Sequence, residues 1–274
     1  MLIAVDTGGT KTLVTQFGTD GKIGEVIRFP TPSDQNEYIS LLCDTIKKNY
    51  SGQVIDAIVV ALPGIIKNGV AVWCNNLGWK NFDAHRALTN ALHGSIETTI
   101  FVENDANLAG LAETRALNPL PVSSLYVTIS TGIGTGVITN GLIDPGLRYS
   151  EGGRSLVEFE GKVREWESFA SGKSIHETYG KYARDITDPE IWREIADKIS
   201  RGFLAIIPFI QPDTIIIGGS IGAYFDRFSK PLEAILQEKL PPHIPCPLLL
   251  AANHPEEAVV YGCYYYALDQ LARS

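Results

Sequence analysis

Short apolar runs separated by glycine-containing turns open the chain. Apolar residues predominate at 2–5, 13–17 and 22–29, and the turns Asp6-Thr7-Gly8-Gly9-Thr10 and Asp20-Gly21 separate these runs. Runs of strand length on either side of such turns are typical of antiparallel strands, because glycine adopts the backbone angles that tight turns require. We therefore expect three antiparallel strands joined by a glycine-rich turn and a hairpin turn.

The pattern then changes to a helical period. Over residues 34–50 apolar side chains recur at helical spacing, which predicts an amphipathic helix. The apolar runs at 54–62 and 98–102 predict buried strands. The first ends at Pro63-Gly64, and the second leads into a helix predicted over 105–117. Alternation of strands and helices in this way is typical of an α/β protein.

The same order of elements begins again near residue 124. An apolar run at 124–129 precedes the glycine-rich turn 130–136, the strand 137–139 and a second hairpin turn, Asn140-Gly141. Few side chains are shared with the first copy, but the order strand, glycine-rich turn, strand, hairpin turn is the same. We therefore predict two similar lobes.

The remaining elements complete the second lobe. They are helices predicted at 167–182 and 188–210, a strand at 214–217 followed by Gly218-Gly219-Ser220, a helix at 225–239, a strand at 248–251 and a helix at 256–273. We place an N-terminal lobe at residues 1–118, completed by the C-terminal helix at about 256–274, and a C-terminal lobe at 119–255. A chain of 274 residues is long enough for two such lobes.

Composition and charge exclude several classes of protein. Hydrophobic residues make up 45% of the chain and charged residues 20%, as in a folded protein. The formal net charge of -8 argues against nucleic acid or an anionic membrane as the main partner. No apolar run reaches the roughly 20 residues of a membrane-spanning helix, and no signal peptide is expected. Cys43, Cys74, Cys246 and Cys263 form no CxxC pair, so we expect a reducing, cytoplasmic setting without a disulfide framework.

The first glycine-rich turn has the composition of a phosphate site. The backbone amides of Gly8 and Gly9 can approach an anion closely. Thr10 adds a hydroxyl group, and Lys11 adds a positive charge. Asp6, at a strand end, could hold a water molecule on Mg²⁺. The GxxxxGK[ST] pattern of a Walker loop is missing, and a plain hairpin turn would contain the same glycines.

The second glycine-rich turn contains Thr131, Gly132 and Gly134, and a tight hairpin again explains it in the simplest way. Two such turns at the same point of two similar lobes favour another interpretation, in which both grip one polyphosphate across a cleft. Gly218-Gly219 lies between a predicted strand and a helix, where a nucleotide can bind. Close packing of the strand on the helix would also select glycine there.

A run of polar residues follows the strand predicted at 98–102. Glu103, Asn104, Asp105 and Asn107 stand where this strand leads into a helix. Asn104 or Asp105 could serve simply as the helix N-cap. So many polar side chains directly after an apolar strand exceed what a cap requires, and we interpret them as part of a functional site.

Taken in order, these motifs resemble the ROK family (repressor, open reading frame, kinase) of the actin-like ATPase and sugar kinase superfamily. The matching segments, spread over nearly the whole chain, are Asp6–Lys11, Ala61–Gly64, Asn75–Trp79, Glu103–Asn107, Thr131–Gly136, Glu167–Gly172 and Ile217–Gly219. The resemblance implies an α/β, two-lobed actin-like ATPase (ribonuclease H-like) fold. Such a fold has a duplicated βββαβα core and a central nucleotide cleft.

The resemblance also implies an ATP:sugar phosphotransferase, in which Asp105 is the catalytic base that accepts the proton of the attacking sugar hydroxyl group. ATP with Mg²⁺ would lie between the two glycine-rich turns. The residues implied to contact a small sugar are Gly64, Asn76, Asn104, Glu151 and Glu167. The family further suggests a homodimer.

One segment departs from the family pattern. Zinc-containing members carry Glu-x-Gly-His followed by three cysteines. This chain has Glu151-Gly152-Gly153-Arg154 instead, and its residues at the cysteine positions are Glu158, Glu160 and Glu165. A structural zinc site needs thiolate and imidazole ligands, so we expect no zinc. Either Arg154 pairs with one or more of these glutamates, or the segment is simply exposed and acidic. Arg154 could instead face the substrate and select an acidic or differently substituted sugar.

The substrate stays open at this level. We expect a glucokinase-like hexose kinase, with N-acetylhexosamine or N-acetylmannosamine kinase and fructokinase as alternatives, and polyphosphate as an alternative to ATP. A catalytically silent sugar-binding regulator would share the fold, although the retained Asp105 argues against it. The repressors of the family carry an N-terminal helix-turn-helix. We do not expect that function here, because the first predicted strand starts at residue 2.

Overall fold

Two five-stranded sheets organise the protein, and each belongs to a separate unit of the chain. Unit 1 comprises residues 1–112 and 257–274, and unit 2 comprises residues 113–256. The structure is a computed structural model that describes residues 1–254 and 257–273.

Strands and helices are interspersed along both units. Up to residue 115 they are β1 (Leu2–Thr7), β2 (Lys11–Phe17), β3 (Ile27–Pro30), α1 (Gln35–Tyr50), β4 (Ala57–Leu62), β5 (Ile65–Lys67), β6 (Val70–Cys74), β7 (Trp79–Asp83), α2 (Ala84–Leu92), β8 (Thr99–Asn104) and α3 (Asp105–Arg115). Beyond it they are β9 (Ser123–Ile129), β10 (Ile133–Thr139), β11 (Leu142–Ile143), β12 (Leu156–Phe159), β13 (Lys162–Glu165), α4 (Glu167–Ala170), α5 (Gly172–Tyr179), α6 (Pro189–Ile210), β14 (Thr214–Gly218), α7 (Gly219–Gly222), α8 (Phe225–Lys239), β15 (Leu248–Ala251) and α9 (Ala258–Leu271).

The two large sheets have the same topology. Their strand orders are β3-β2-β1-β4-β8 in unit 1 and β11-β10-β9-β14-β15 in unit 2. The first two strands of each unit form an antiparallel hairpin, and the first strand is parallel to the fourth strand of the sheet order. The fifth strand of the order is parallel as well. The duplicated α/β core predicted from the sequence is therefore confirmed.

Burial explains why the central strands are almost wholly apolar. Every residue of β4 and of β14 is buried. Parallel strands covered on both faces need apolar side chains throughout rather than alternating ones. In unit 1 the sheet shares its core with Leu42 of α1, and in unit 2 with Trp166 and Phe203, all three fully buried. Each unit thus has its own hydrophobic core.

The structure corrects several predictions near the start of the chain. The third strand covers only Ile27–Pro30, and a single bridge joins Phe17 to Ile23 before it, because Gly24 and Glu25 interrupt the apolar run. The strand predicted from residue 54 begins at Ala57. The sheet β5-β6-β7 and helix α2 were not predicted. β5 and β6 are apolar runs of only three and five residues, β7 is mixed with polar residues, and α2 has only nine residues.

Further corrections concern unit 2 and the C terminus. The turn predicted at 130–136 is confined to residues 130–132, since β10 already begins at Ile133. The helix predicted over 167–182 is broken at Ser171, whose hydroxyl group accepts the Ser174 amide and so starts α5. The hairpin of β12 and β13 was not predicted. Part of the helix predicted from residue 256 lies outside the described residues.

Over residues 1–254 and 257–273, no helix combines the length and the apolar character needed to cross a lipid bilayer.

Helix α9 packs against β1 and β4, so the C-terminal segment belongs to unit 1. The helix approaches the backbone of α3 closely at Gly262. A Cβ atom at Gly262 would lie 2.0 Å from the carbonyl oxygen of Leu108. Only glycine fits at this crossing, because a backbone oxygen cannot move aside as a flexible side chain can.

We predict that Gly262→Ala lowers the free energy of unfolding by about 1–3 kcal/mol or more, because overpacking forces the α9 and α3 backbones apart. Urea denaturation followed by circular dichroism measures this change. Gly146→Ala is the matched control, since a Cβ atom there would meet its nearest neighbour, Asp144 Oδ1, at 3.4 Å. Equal stability of the two variants would contradict the proposed packing.

Candidate active site

In unit 1 the predicted site residues lie at one edge of the sheet. Strands β1, β4 and β8 are parallel, and in their register Asp6 pairs with Ala61, and Ala61 with Glu103. The carboxyl ends of parallel strands meet at the same edge, where open α/β sheets bind their ligands. The glycine-rich turn after β1, Gly64 after β4 and Asp105 after β8 therefore share this edge.

The turn after β1 is held in place by the residue that follows β3. The Gly8 amide donates to the Lys11 carbonyl at 3.0 Å, and the Thr31 hydroxyl donates to the Gly8 carbonyl at 2.8 Å. The Thr31 amide donates to the Thr10 carbonyl at 3.1 Å. Gly9, Thr10 and Lys11 are exposed, so the turn combines a fixed backbone with an open surface. Sequence reasoning missed Thr31, which carries no motif of its own.

Asp6 stands at the base of this turn. Its carboxyl group is largely withdrawn from water, and this desolvation raises its pKa from the ordinary value of 3.8 to about 6, while the charge of Lys11 opposes the shift. A carboxylate in such a place gains from a neighbouring cation, because a positive charge restores the stabilisation that water no longer provides.

Asn104 links the end of β8 to two other parts of the site. Its Oδ1 atom accepts the Asn107 amide at 2.9 Å, and its Nδ2 group donates to the Gly64 carbonyl at 2.8 Å. Gly64 has a φ angle of 86°, and a Cβ atom there would lie 2.1 Å from the Trp73 carbonyl oxygen. Asn104 therefore caps α3 and at the same time binds the backbone of Gly64. Only glycine fits at position 64.

Asp105 is the first residue of α3 and is half-buried. Its Oδ1 atom accepts the Ala106 amide at 2.8 Å. Because the bond to Asn107, the third residue of the helix, comes from Asn104, the capping function that either residue could have served falls to Asn104. Asp105 thus places a carboxylate at the carboxyl edge of the sheet without being required as the helix cap.

Glu103 supports this junction, a role that the sequence did not assign to it. It is 1% exposed, and its Oε1 atom accepts the Asn104 amide at 2.9 Å and the Asn107 Nδ2 group at 3.1 Å. A buried carboxylate needs such donors. Asn76, the remaining predicted residue of unit 1, lies next to the glycine-rich turn: a Cβ atom at Gly9 would be 3.6 Å from its Cβ.

In unit 2 the glycines predicted to bind nucleotide converge on the end of β9. Gly134 and Gly218 both pair with Thr128, one from each neighbouring strand. Gly219 has a φ angle of 81°, and a Cβ atom there would lie 2.6 Å from the Ile129 carbonyl oxygen. Glycines therefore flank the end of β9 on both sides, beside the turn that contains Thr131.

The turn between β9 and β10 is tied to α4 and α5. The Ser130 amide donates to the Gly132 carbonyl at 2.8 Å, and the Gly172 amide donates to the Ser130 carbonyl at 2.6 Å. The Ile133 amide donates to Glu167 Oε2 at 2.7 Å. Glu167 thus binds the turn directly, whereas the sequence had suggested for it only a contact with the sugar.

Arg154 lies among three carboxylates. Its Nη1 atom is 2.6 Å from Glu165 Oε2, and its Nη2 atom is 3.3 Å from Glu167 Oε1. Glu151 is the third. The pKa of Glu151 is raised overall. Burial is the largest cause, the charge of Arg154 opposes it, and the charge of Glu167 adds to it. For Arg154 itself burial lowers the pKa, but these glutamates outweigh burial and raise it overall.

The predicted pairing of Arg154 with the glutamates is confirmed for Glu165. Glu160 instead pairs with Arg164 at 2.8 Å, and Glu158 accepts the Gly161 amide at 2.6 Å. The segment forms a hairpin in which all three glutamates accept hydrogen bonds, so it is more than an exposed acidic loop. Two glutamates, Glu165 and Glu167, thus engage the guanidinium group of Arg154.

The described part of the chain holds no group of three or more His, Cys, Asp or Glu side chains arranged to bind a metal ion. The residues at the position of the zinc element do not fit zinc. Arg154 brings a fixed positive charge. The glutamates at the three cysteine positions, Glu158, Glu160 and Glu165, each bind a different partner. The site therefore relies on an arginine where a structural metal would need thiolates.

Comparison with known proteins gives one consistent result. A profile described as the ROK family matches residues 2–270. The N-acetylmannosamine kinase of Escherichia coli O7:K1 is 28% identical to this chain, with 98% of each protein covered. The structure superposes with a TM-score of 0.80 on a ROK family glucokinase from Streptomyces griseus in complex with glucose and AMPPNP, at 19% identity, covering 98% of this chain and 99% of that one. It also superposes, with a TM-score of 0.73, on an inorganic polyphosphate/ATP-glucomannokinase from Arthrobacter sp. strain KM, at 26% identity and 98% coverage of both chains.

The raised pKa of Asp6 predicts a pH-dependent stability. In the folded protein the charged form of Asp6 is disfavoured, so its ionisation destabilises the fold as the pH rises from about 4 to about 6. Asp6→Asn cannot ionise. We therefore predict that, without ligands, the stability of the variant relative to the wild type increases by about 2 kcal/mol between pH 4 and pH 7.

Urea denaturation at pH 4, 5, 6 and 7 measures this difference. Asp20→Asn, which removes an exposed carboxylate, controls for the loss of one negative charge. A stability difference between wild type and Asp6→Asn that stays constant over this range would contradict the desolvation of Asp6.

Proposed function

The chain belongs to the ROK family, and from this premise we propose that it transfers the γ-phosphoryl group of ATP to a hydroxyl group of a hexose or hexose derivative. The observation that carries the proposal is the position of Asp105, a half-buried carboxylate at the carboxyl edge of the unit 1 sheet whose neighbour Asn104 serves as the helix cap. The kinase names of the relatives agree with this activity.

In the proposed reaction Asp105 is the general base. Its carboxylate accepts the proton of the attacking sugar hydroxyl while the oxygen of that hydroxyl forms a bond to the γ-phosphorus and ADP leaves. General base catalysis of this kind contributes typically about 10²–10⁴-fold. The bond from Asn104 to Gly64 and the buried Glu103 keep the strand-to-helix junction rigid, so that the base is held in one place.

Each unit contributes a phosphate-binding turn in this proposal. In unit 1 the amides of Gly8 and Gly9, the Thr10 hydroxyl group and the Lys11 charge bind the phosphates. In unit 2 the corresponding residues are Thr131, Gly132, Gly134, Gly218 and Gly219. The AMPPNP bound to the Streptomyces griseus glucokinase supports a nucleotide as the donor. The Arthrobacter relative, which is named for both polyphosphate and ATP, keeps polyphosphate as the alternative.

Mg²⁺ fits the residues at the first turn. It prefers oxygen ligands and usually binds through one or two carboxylates together with substrate phosphates and water. Asp6 offers a desolvated carboxylate beside the turn, so it would hold the ion through a water molecule. When bound, Mg²⁺ would neutralise part of the negative charge of the phosphates.

The residues proposed to bind the sugar are those that the family resemblance implied, together with Arg154. They are Gly64, Asn76, Asn104, Glu151, Arg154 and Glu167. Glucose and N-acetylmannosamine are the first two candidates, because the relatives are named for them. Fructose remains an alternative, and a catalytically silent sugar-binding regulator is the alternative from another class.

We predict that Asp105→Asn reduces kcat by at least about 100-fold and leaves nucleotide affinity almost unchanged, because asparagine keeps the shape of the side chain but cannot accept the proton. A coupled assay of ADP release measures kcat, and calorimetry measures ATP binding. Asp34→Asn is the matched control, since Asp34 caps α1 and asparagine caps a helix equally well. Substantial activity of Asp105→Asn would refute the assigned role.

A substrate screen separates the remaining alternatives. Glucose, fructose, mannose, allose, N-acetylmannosamine and N-acetylglucosamine would each be tested with ATP and with polyphosphate. We expect at least one sugar to stimulate ADP release well above the rate without sugar. If a sugar binds but none is phosphorylated by either donor, the regulatory alternative is correct and the kinase proposal fails.

A further inference from the structure

We propose that Arg154 is a positioning residue, which holds the Glu167 carboxylate against the turn between β9 and β10 and thereby orders that turn. The ordering follows from the contacts within unit 2. Its consequence for phosphoryl transfer rests on the proposed function. Arg154 lies in the segment whose residues do not fit the zinc site found in other members of the family.

A continuous series of contacts runs from the hairpin of β12 and β13 to the turn. Glu165 Oε2 lies 2.6 Å from Arg154 Nη1, and Arg154 Nη2 lies 3.3 Å from Glu167 Oε1. The other oxygen of Glu167 accepts the Ile133 amide at 2.7 Å. Because the two carboxylate oxygens of Glu167 have different partners, Arg154 controls which way this carboxylate faces.

Gly132 shows how closely Glu167 approaches the turn. A Cβ atom at Gly132 would lie 2.4 Å from Glu167 Oε2. A longer side chain at this position would push the carboxylate away from the Ile133 amide. The turn therefore accepts the carboxylate only because residue 132 is glycine.

Trp166 fixes the backbone from which both glutamates project. It is fully buried, its amide donates to the Ser155 carbonyl at 2.9 Å, and its indole Nε1 donates to the Lys198 carbonyl at 3.2 Å. Glu165 and Glu167 flank this anchored residue. They therefore reach the same guanidinium group without a change in the backbone.

Charge explains why an arginine is needed at this place. Glu151, Glu165 and Glu167 bring three negative charges around Arg154. Without the guanidinium group the three carboxylates would repel one another, and Glu167 would be free to turn away from the Ile133 amide. The side chains of Arg154 and Glu165 are 30% and 43% exposed, so the pair adds little to global stability, and its effect is local.

The test is hydrogen exchange of the Ile133 amide, followed by two-dimensional NMR of ¹⁵N-labelled protein without sugar or nucleotide. We expect exchange to become about tenfold faster in Arg154→Gln, the change that corresponds to about 1.4 kcal/mol. Gly132→Ala should accelerate it as well, because it displaces Glu167. Arg154→Lys should lie between wild type and Arg154→Gln, since a lysine holds one carboxylate and not two.

Glu165→Gln and Glu160→Gln form the matched pair. Both remove a glutamate of the hairpin that pairs with an arginine, but only Glu165 contacts Arg154. Glu165→Gln should accelerate exchange of the Ile133 amide, and Glu160→Gln should not. If Arg154→Gln fails to fold, this pair decides the question.

Kinetics supply the second measurement. In Arg154→Gln we expect kcat/KM for ATP to fall about tenfold or more, while the sugar is held at saturation.

Unchanged exchange of the Ile133 amide in Arg154→Gln, or equal exchange in Glu165→Gln and Glu160→Gln, would overturn the proposal. If exchange changes as expected but no sugar is phosphorylated, the positioning role stands and the proposed function fails.

Discussion

Parallel pairing of the central strands is the constraint on which the candidate site depends. Backbone hydrogen bonds force β1, β4 and β8 to run in one direction, so the segments that follow them emerge at one edge of the sheet. β9 and β14 do the same in unit 2. The sheet thus brings the functional groups of each unit together at one edge. The loops after the strands need only carry suitable residues. At Gly64 in unit 1 and at Gly219 in unit 2 the chain passes close to a backbone oxygen of another segment. A side chain at either position would collide with that oxygen.

The junction of β8 and α3 shows how polar groups divide their tasks. A helix start needs a cap, and a buried carboxylate needs donors. Asn104 meets the first need through the Asn107 amide, and Glu103 has its own donors in the Asn104 amide and the Asn107 side chain. Asp105 can therefore serve a reaction without weakening the helix that carries it. Because Asn104 also holds the Gly64 carbonyl, the rigidity of the base and the shape of the neighbouring loop are coupled.

In unit 2 the charge of Arg154 holds two glutamate side chains in place. A metal site gathers its ligands through short bonds and loses its order when a ligand is missing. The guanidinium group of Arg154 gathers Glu165 and Glu167 through a planar fork of donors, which suits carboxylates and leaves each partner some freedom. Burial of Trp166 compensates for that freedom, because it fixes the backbone between the two glutamates. Packing and electrostatics together thus keep Glu167 on the amide of Ile133.

The repeated order of strands and turns, the family and the polar residues around Asp105 could be predicted from the sequence alone, because apolar periodicity and glycine-rich turns are local signals. It could not separate the capping role of Asn104 from the role of Asp105, since both residue types cap helices. It also could not reveal the hairpin of β12 and β13, the break at Ser171 or the bond from Glu167 to Ile133. The bond from Glu167 to Ile133, like the contact of the Ser130 carbonyl with the Gly172 amide beside the break, joins residues far apart in the chain. Packing in the folded protein brings such residues together, and no local pattern in the sequence indicates it.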